Sequence, residues 1–270
     1  MSRSGSFSSV PSKKLRPEIG TAAQRRLRVL AGPNGSGKST IKCELRPEWI
    51  GVFVNADEIE RALREMDGKL DLASLGITGA GAEVLRRIEE HILGSTFAQQ
   101  LGLHALAQRM TIEPTLQLQV PGPYNSYLAS VLADAIRREL LEEGRTFTFE
   151  TVMSSRDKVD FMREARESGY RVYLYFVATD DPAINVDRVR RRVKLGGHPV
   201  PARKVRERYD RSIALMAEAC GVAHRAYVFD NSGAEHKLLV QIVDGLEMEI
   251  QAASLPRWFV ETDLWHSFND

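Results

Sequence analysis

An α/β fold with a mostly parallel central sheet, helices on both faces and a helical insertion is what this 270-residue sequence predicts. Three observations carry that prediction. Short apolar runs alternate with stretches of helical periodicity. The first run, Leu27-Arg28-Val29-Leu30-Ala31, leads straight into a glycine-rich turn and then a helix. From residue 146 onward strands and helices take turns almost without interruption.

The elements follow in order. Residues 1–24 are rich in Ser, Lys and Arg without apolar periodicity and read as a flexible tail. Residues 25–252 read as one domain. After the first strand a helix begins near Gly37, Gly51-Val52-Phe53-Val54 is a second short strand, and Asn55-Ala56-Asp57-Glu58 opens another helix. Residues 67–124 read as a helical insertion. Leu85, Ile88 and Ile92 recur at helical spacing within a helix over 80–94, and Leu101 to Met110 reads as another, before Pro114, Pro121, Gly122 and Pro123 break the pattern. A long helix over 125–143 has the stripe Leu128, Val131, Leu132, Ala135, Ile136 and Leu140, with Asn125 to cap it and Gly144 to end it. Then come a strand at Thr146–Glu150, a helix over 156–167 stopped by Gly169, and the buried strand Arg171–Val177. Pro182 starts a helix reaching Leu195, another follows Pro201, Ala226–Asp230 is a strand, and 234–250 reads as helical. Residues 253–270 form a tail with Trp258, Phe259, Trp265 and Phe268, which either packs back on the domain or docks a partner.

Composition removes several classes. Lys and Arg number 37 against 36 Asp and Glu, a net charge of +1, which counts against a nucleic-acid partner and against an acidic tail. No apolar run approaches the roughly 18 residues that span a bilayer. Cys43 and Cys220 make no disulfide framework; with no apolar leader visible they read as reduced thiols of a cytoplasmic protein.

One motif carries chemistry. Gly32-Pro33-Asn34-Gly35-Ser36-Gly37-Lys38-Ser39 fits G-x-x-x-x-G-K-[ST], between a strand and a helix, and Thr40 follows it. Glycines let backbone N–H groups point inward around a phosphate, and the helix N-terminus adds positive dipole. In such a P-loop Lys38 reaches the β- and γ-phosphates of ATP and the Ser39 hydroxyl ligates Mg²⁺. A surface turn needs neither Lys nor Ser at those two positions.

Three further segments bear on the reaction. Asp57 lies just past the second strand, where ligands gather in open α/β sheets. It reads either as a helix cap, since Asp57-x-x-Glu60 and Asn55-x-x-Glu58 both resemble capping boxes, or as a base that takes a proton from an acceptor hydroxyl. Glu150 ends its strand and reads either as a solvated charge or as a ligand for substrate or metal-bound water. Arg188-Val189-Arg190-Arg191-Arg192-Val193 reads either as a solvated basic face, with Val186, Val189 and Val193 on the opposite side, or as a lid whose guanidinium groups pair phosphate oxygens. Arg188, Arg191 and Arg192 are its candidates; Arg206, Arg208 and Arg211 on the next helix rank second, and His198 in the loop between the helices reads either as a contact to base or phosphate or, as loop histidines more often are, as neither.

Together these residues resemble the zeta-toxin-like P-loop kinases, including the related predicted ABC-type ATPase branch. The similar stretches run from about Leu27 to Ser232: Gly32–Thr40, Val54-Asn55-Ala56-Asp57-Glu58-Ile59, Phe147-Thr148-Phe149-Glu150-Thr151, Gly196-Gly197-His198-Pro199-Val200-Pro201 and Phe229-Asp230-Asn231-Ser232. The resemblance implies transfer of the ATP γ-phosphate to the sugar of a UDP-N-acetylglucosamine-like acceptor, and a small antitoxin protein that holds the enzyme in check. It implies Lys38 and Ser39 as phosphate and Mg²⁺ residues, Asp57 as general base, Glu150 on the substrate side and the Arg188–Arg192 region at the transferring phosphate. Asp134 stands where a second acidic substrate residue falls, although the toxins carry Glu there. The chain departs further. Glu150 is followed by Thr151-Val152-Met153-Ser154-Ser155 and not by the toxins' Gly-Thr-Gly-Arg run, and residues 67–124 are longer than the toxin counterpart. These departures fall where the acceptor should sit.

Two other readings stand beside this one: a polynucleotide 5′-hydroxyl kinase, which needs a basic groove for the strand, and a non-catalytic ATP-binding module. An ABC ATPase is excluded by the lack of a Leu-Ser-Gly-Gly-Gln-type run.

Overall fold

The computed structural model describes residues 24–197 and 199–269. The N-terminal tail reading for residues 1–23, and His198, lie outside the described residues.

β1 (Arg26–Ala31) runs through the glycine turn into α1 (Lys38–Glu44), followed by α2 (Pro47–Ile50), β2 (Val52–Val54) and α3 (Ala56–Glu65). The next stretch holds β3 (Lys69–Asp71), α4 (Gly81–Gly94), α5 (Thr96–Gln100), α6 (His104–Ala107), β4 (Thr111–Ile112) and β5 (Gln117–Gln119). α7 (Ser126–Glu142) returns the chain to β6 (Phe147–Thr151), α8 (Asp157–Glu167), β7 (Arg171–Ala178), α9 (Pro182–Lys194), α10 (Ala202–Ala214), α11 (Met216–Val222) and β8 (Arg225–Asp230). β9 (Lys237–Val243) and β10 (Glu247–Ile250) precede α12 (Arg257–Val260) and α13 (Asp263–Asn269).

The main sheet has the order β10-β9-β8-β7-β1-β6-β2, parallel from β2 to β8 and antiparallel through β9 and β10. The apolar run of β1 suits an interior strand, flanked by β6 and β7 and buried from Leu27 to Ala31. A strand covered on both faces has to be apolar throughout, and this one is nearly so. Alternation then sorts the neighbours. Val29 and Phe149 face the side covered by α7 and α8, whereas Leu30 and Tyr175 face α1 through Ile41. The α7 stripe is buried throughout, capped as the sequence reading expects: the Asn125 side-chain oxygen accepts from the N–H groups of Tyr127 and Leu128, both at 3.0 Å. Gly144, at φ 67°, turns the chain into β6. Among the described residues no helix is long and apolar enough to cross a membrane.

The structure corrects three readings. Residues 234–250 are not a helix but the β9–β10 hairpin. The run Lys237–Val243 is too uniformly apolar to fix a period, and the deciding signal is the dipeptide after it. Asp244 (φ 51°) and Gly245 (φ 69°) both take positive φ, and the Leu246 N–H donates to the Val243 carbonyl at 3.0 Å. Residues 67–124 are not all-helical, since β3, β5 and β4 form a small antiparallel sheet. The helix expected over Leu101–Met110 shrinks to the single turn of α6. The aromatic tail packs on the domain, with Trp258, Phe259 and Leu264 in the core.

The hairpin turn gives a stability prediction. A Cβ on Gly245 would lie 2.7 Å from Gly221 Cα, at a φ that L-residues resist. Gly245→Ala should therefore cost about 1–3 kcal/mol, read as a lower urea midpoint. An unchanged midpoint would mean that the turn relaxes freely.

Candidate active site

The phosphate loop closes over the end of β1. Gly35 and Gly37 sit at φ 77° and 100°, and the Ser36 N–H donates back to the Pro33 carbonyl at 3.2 Å. The loop is packed too tightly for side chains at its glycines: a Cβ on Gly32 would meet the Val177 carbonyl oxygen at 2.0 Å, and one on Gly37 would meet Asn231 Nδ2 at 2.0 Å. Lys38 opens α1, and its buried ammonium curls back to donate to the carbonyls of Gly32 (2.9 Å) and Pro33 (3.1 Å). Ser39 and Thr40 are exposed at the start of the helix. The Ser36 hydroxyl is buried and has no hydrogen-bond partner among the described residues, an orphan donor inside the cradle that suits a phosphate oxygen.

The predicted residues converge on this loop from separate elements. Glu150 comes from the end of β6, and its carboxylate lies 3.8 Å from Lys38 Nζ. Asp57 comes from the first turn of α3. Asn55 takes over the cap, its side-chain oxygen accepting from the N–H groups of Asp57 (2.8 Å) and Glu58 (3.3 Å). This decides between the two capping boxes and leaves the Asp57 carboxylate outside the cap. Arg192 of α9 reaches it, Nη1 to Oδ2, at 3.8 Å. Electrostatics at Lys38 register the whole group. Burial pushes its pKa down from the ordinary lysine value, Glu150 holds it up, Arg192 pushes it down and Asp57 opposes. The net shift is downward: a cation buried ahead of any phosphate.

α9 meets the loop with one face. Asn185, Arg188 and Arg192, spaced three and four apart, share it. Asn185 is fully buried; its Nδ2 donates to the Asn34 carbonyl at 2.8 Å, and its oxygen accepts from the Thr179 hydroxyl. Arg188 donates to the Gly233 carbonyl at 3.4 Å, while its other terminal nitrogen is buried without a hydrogen-bond partner among the described residues. Arg191 points elsewhere: it is exposed, and no hydrogen bond or ion pair among the described residues joins it to this group. The opposite side carries Val186 and Val189, buried against Val205, whereas Val193 is exposed. Of the second-rank arginines, Arg208 touches the loop, Nη1 to Asn34 Oδ1 at 3.4 Å, and Arg206 and Arg211 are exposed.

Asp134 does not join the site. It hangs from α7 on the Phe149 face of the sheet, opposite the α1 side on which Glu150 meets Lys38. There Arg137 donates to it, with Arg138 at 3.6 Å and Lys158 at 3.7 Å. Burial raises its pKa, but the charges of Arg137, Lys158 and Arg138 outweigh that and hold the carboxyl below the usual range. This is an ion network that ties α7 to α8, and strand alternation sets it on the other face of the sheet from Glu150.

Two further residues complete the site, Asn185, which sequence reasoning did not single out, and Asn231 of the Phe229-Asp230-Asn231-Ser232 stretch, to which it gave no role. Asn185 braces Asn34, and Asn231, at the end of β8, donates to the Ser36 carbonyl at 2.7 Å. The signal for Asn185 is its position one turn before Arg188, a polar residue on the face that bears the arginines. Beside the first turn of α3 a cavity of about 400 Å³ opens, floored by Phe53, Ile59, Ala62 and Leu70 and rimmed by Asn55 and Glu58. Among the described residues no cluster of three or more His, Cys, Asp or Glu forms a metal cage.

Comparison with known proteins agrees with the likeness read from the sequence. The zeta toxin family model matches residues 124–235, the part that holds Glu150, Asn185, Arg188, Arg192 and Asn231, and begins after Lys38 and Asp57. An uncharacterized protein of Haemophilus influenzae is 30% identical over 93 residues, which are 32% of this chain and 65% of that protein. The crystal structure of AvrRxo1-ORF1:AvrRxo1-ORF2 with sulphate ions is similar at 15% identity and a TM-score of 0.49, over 86% of this chain and 62% of that one. A structure from the PezAT chromosomal toxin–antitoxin system of Streptococcus pneumoniae is similar at 14% identity and a TM-score of 0.43, over 82% of this chain and 74% of that one. The chain thus spans less than two thirds of the Haemophilus influenzae and AvrRxo1 relatives.

Proposed function

We propose that this P-loop domain is an ATP-dependent kinase of zeta-toxin type that moves the γ-phosphoryl group to a hydroxyl of a small molecule. The observation that carries this reading is the meeting of Lys38, Glu150, Asp57 and Arg192 at the carboxyl ends of β1, β6 and β2, with a basic helix face laid across the phosphate loop. A bare nucleotide sensor has no use for an uncapped aspartate at that point.

The loop N–H groups, the Ser36 hydroxyl and Lys38 would grip the phosphates, and Asn185 and Asn231 hold the loop in shape. The acceptor oxygen attacks the γ-phosphorus, its proton passes to the Asp57 carboxylate, and the bond from phosphorus to the β–γ bridging oxygen breaks to release ADP. Arg188 and Arg192 offset the charge that shifts onto that oxygen. Such transfer rests on positioning and electrostatics more than on covalent chemistry. Mg²⁺ would be held by Ser39 and the phosphates, with Glu150 within reach of a coordinated water, and its chemistry is charge neutralisation. That fits a site whose own carboxylates form no cage. The acceptor is assigned to the side of the cavity beside Asn55 and Glu58, with nucleotide-sugars first among its candidates. A cytoplasmic setting and an antitoxin partner belong to the same proposal. The two free cysteines, Cys43 exposed and Cys220 buried, suit a reducing compartment.

The test is transfer from γ-labelled ATP with Mg²⁺ to a panel of UDP-sugars, nucleosides and short RNA. Label on one small-molecule acceptor is the expected result. Label on RNA would turn the reading to a polynucleotide kinase, and ATP binding with no transfer to any of them would favour a binding module.

A further inference from the structure

The aromatic tail is not used by this mechanism, yet it reaches the site. Trp258 in α12 is nearly buried, in edge-on contact with Phe259 at 5.8 Å between ring centroids, and Phe259 in turn meets Trp265 at 5.9 Å. Its indole N–H donates to Asp230 Oδ1 at 3.1 Å. The same oxygen accepts from the Ser232 hydroxyl at 2.5 Å, and Ser232 Oγ in turn accepts from the Asp180 N–H at 2.7 Å. Asp230 is thereby pinned from two sides at the end of β8. The residues it carries are those that touch the phosphate loop and the lid. Asn231 donates to the Ser36 carbonyl at 2.7 Å, and the Gly233 carbonyl accepts from Arg188.

We infer that Trp258 is a positioning residue of the nucleotide site, acting through Asp230 to fix the 230–233 turn against the phosphate loop. The inference rests on the ATP site proposed above and adds to it a segment remote in sequence. The physical ground is that an N–H donated to a carboxylate is a strong, directional hydrogen bond, whereas ring packing alone constrains a turn weakly. Losing the donor frees the Asp230 carboxylate to rotate, and Asn231 and Gly233 move with it.

Trp258→Phe in the full chain tests this, because it removes the donor and keeps an aromatic ring. Three readouts are taken: ATP affinity by calorimetry, amide exchange of residues 230–236 and 32–38, and the thermal midpoint. The expected result is about fivefold weaker ATP binding with faster exchange in those two segments. Trp265→Phe is the control for packing in the same cluster and should leave ATP affinity unchanged even where it lowers the midpoint. If Trp258→Phe binds ATP like the wild type, or loses no more than Trp265→Phe, the tail is structural only and the inference fails. If the wild type itself binds no ATP, the proposed function falls and takes the inference with it.

Discussion

Asp57→Asn is expected to cut phosphoryl transfer by about 10²–10⁴-fold, the usual worth of a general base, while ATP still binds. The reasoning starts with the cap. Because the Asn55 side chain satisfies the N–H groups of Asp57 and Glu58, the Asp57 carboxylate has no structural duty in the helix start. It is more than half exposed, 3.8 Å from Arg192, and near enough to Lys38 to influence its proton. The substitution is isosteric. Its structural cost is limited to the interaction of one exposed charge with a helix N-terminus, about 0.3–1 kcal/mol. It also removes a negative charge from a cleft meant for an anionic nucleotide, so ATP affinity should hold steady or rise. A residue that merely supported the fold would behave otherwise: transfer and ATP binding would decline together with the thermal midpoint. Calorimetric ATP titration beside the transfer assay separates the cases. Transfer that survives in Asp57→Asn would remove the base assignment and leave Asp57 as a first-turn charge.

Much of the site was legible because its chemistry is local in sequence. Glycines, Lys38 and Ser39 are fixed by one loop, and loop, strand and helix announce themselves together. Asp57 and Glu150 were legible for a related reason: each stands at the tip of a short apolar strand, where a parallel sheet delivers its side chains to a ligand. What a linear reading lacks is the face of each element. Arg188, Arg191 and Arg192 look alike in sequence, and only the docking of α9 turns Arg188 and Arg192 inward and Arg191 out. Asp134 matched by position in the chain but lies across the sheet, a separation that alternation along β6 imposes and that spacing alone does not reveal. Asn185 was passed over because bracing a loop through one amide leaves no motif, and Asn231 stood within a motif without a role assigned to it. The hairpin at β9–β10 was hidden by an apolar run that suits either period, although Asp244-Gly245 carried the signal.

Lys38→Met should be the most damaging single change to activity, with transfer reduced by about 10³-fold or more and ATP binding weakened, yet its effect on the unliganded fold should depend on pH. Lys38 is buried, and burial is the largest influence on its proton, so its pKa in the fold lies below the unfolded value of 10.5. A lowered lysine pKa has a definite sign. Between the folded and unfolded values the unfolded chain binds more protons, so stability rises with pH across that window. Below the folded value the charged Lys38 costs the unliganded protein a constant amount. That cost fades as pH climbs through the folded value toward 10.5. Methionine carries no such cost at any pH, but it leaves Glu150 without its nearest cation and the Gly32 and Pro33 carbonyls without their donor. The comparison that matters is therefore the stability gap between wild type and variant, followed by urea unfolding from pH 7 to pH 10. The wild type should gain on the variant as pH rises. A gap that stays flat would show that the ammonium is solvated well enough to escape the burial penalty. Bound phosphate would supply a counter-charge to Lys38, so saturating ATP should stabilise the wild type far more than Lys38→Met at pH 7. The domain would then be holding its lysine at a disadvantage until the nucleotide arrives, which turns part of the fold's own electrostatic strain into affinity for the phosphate.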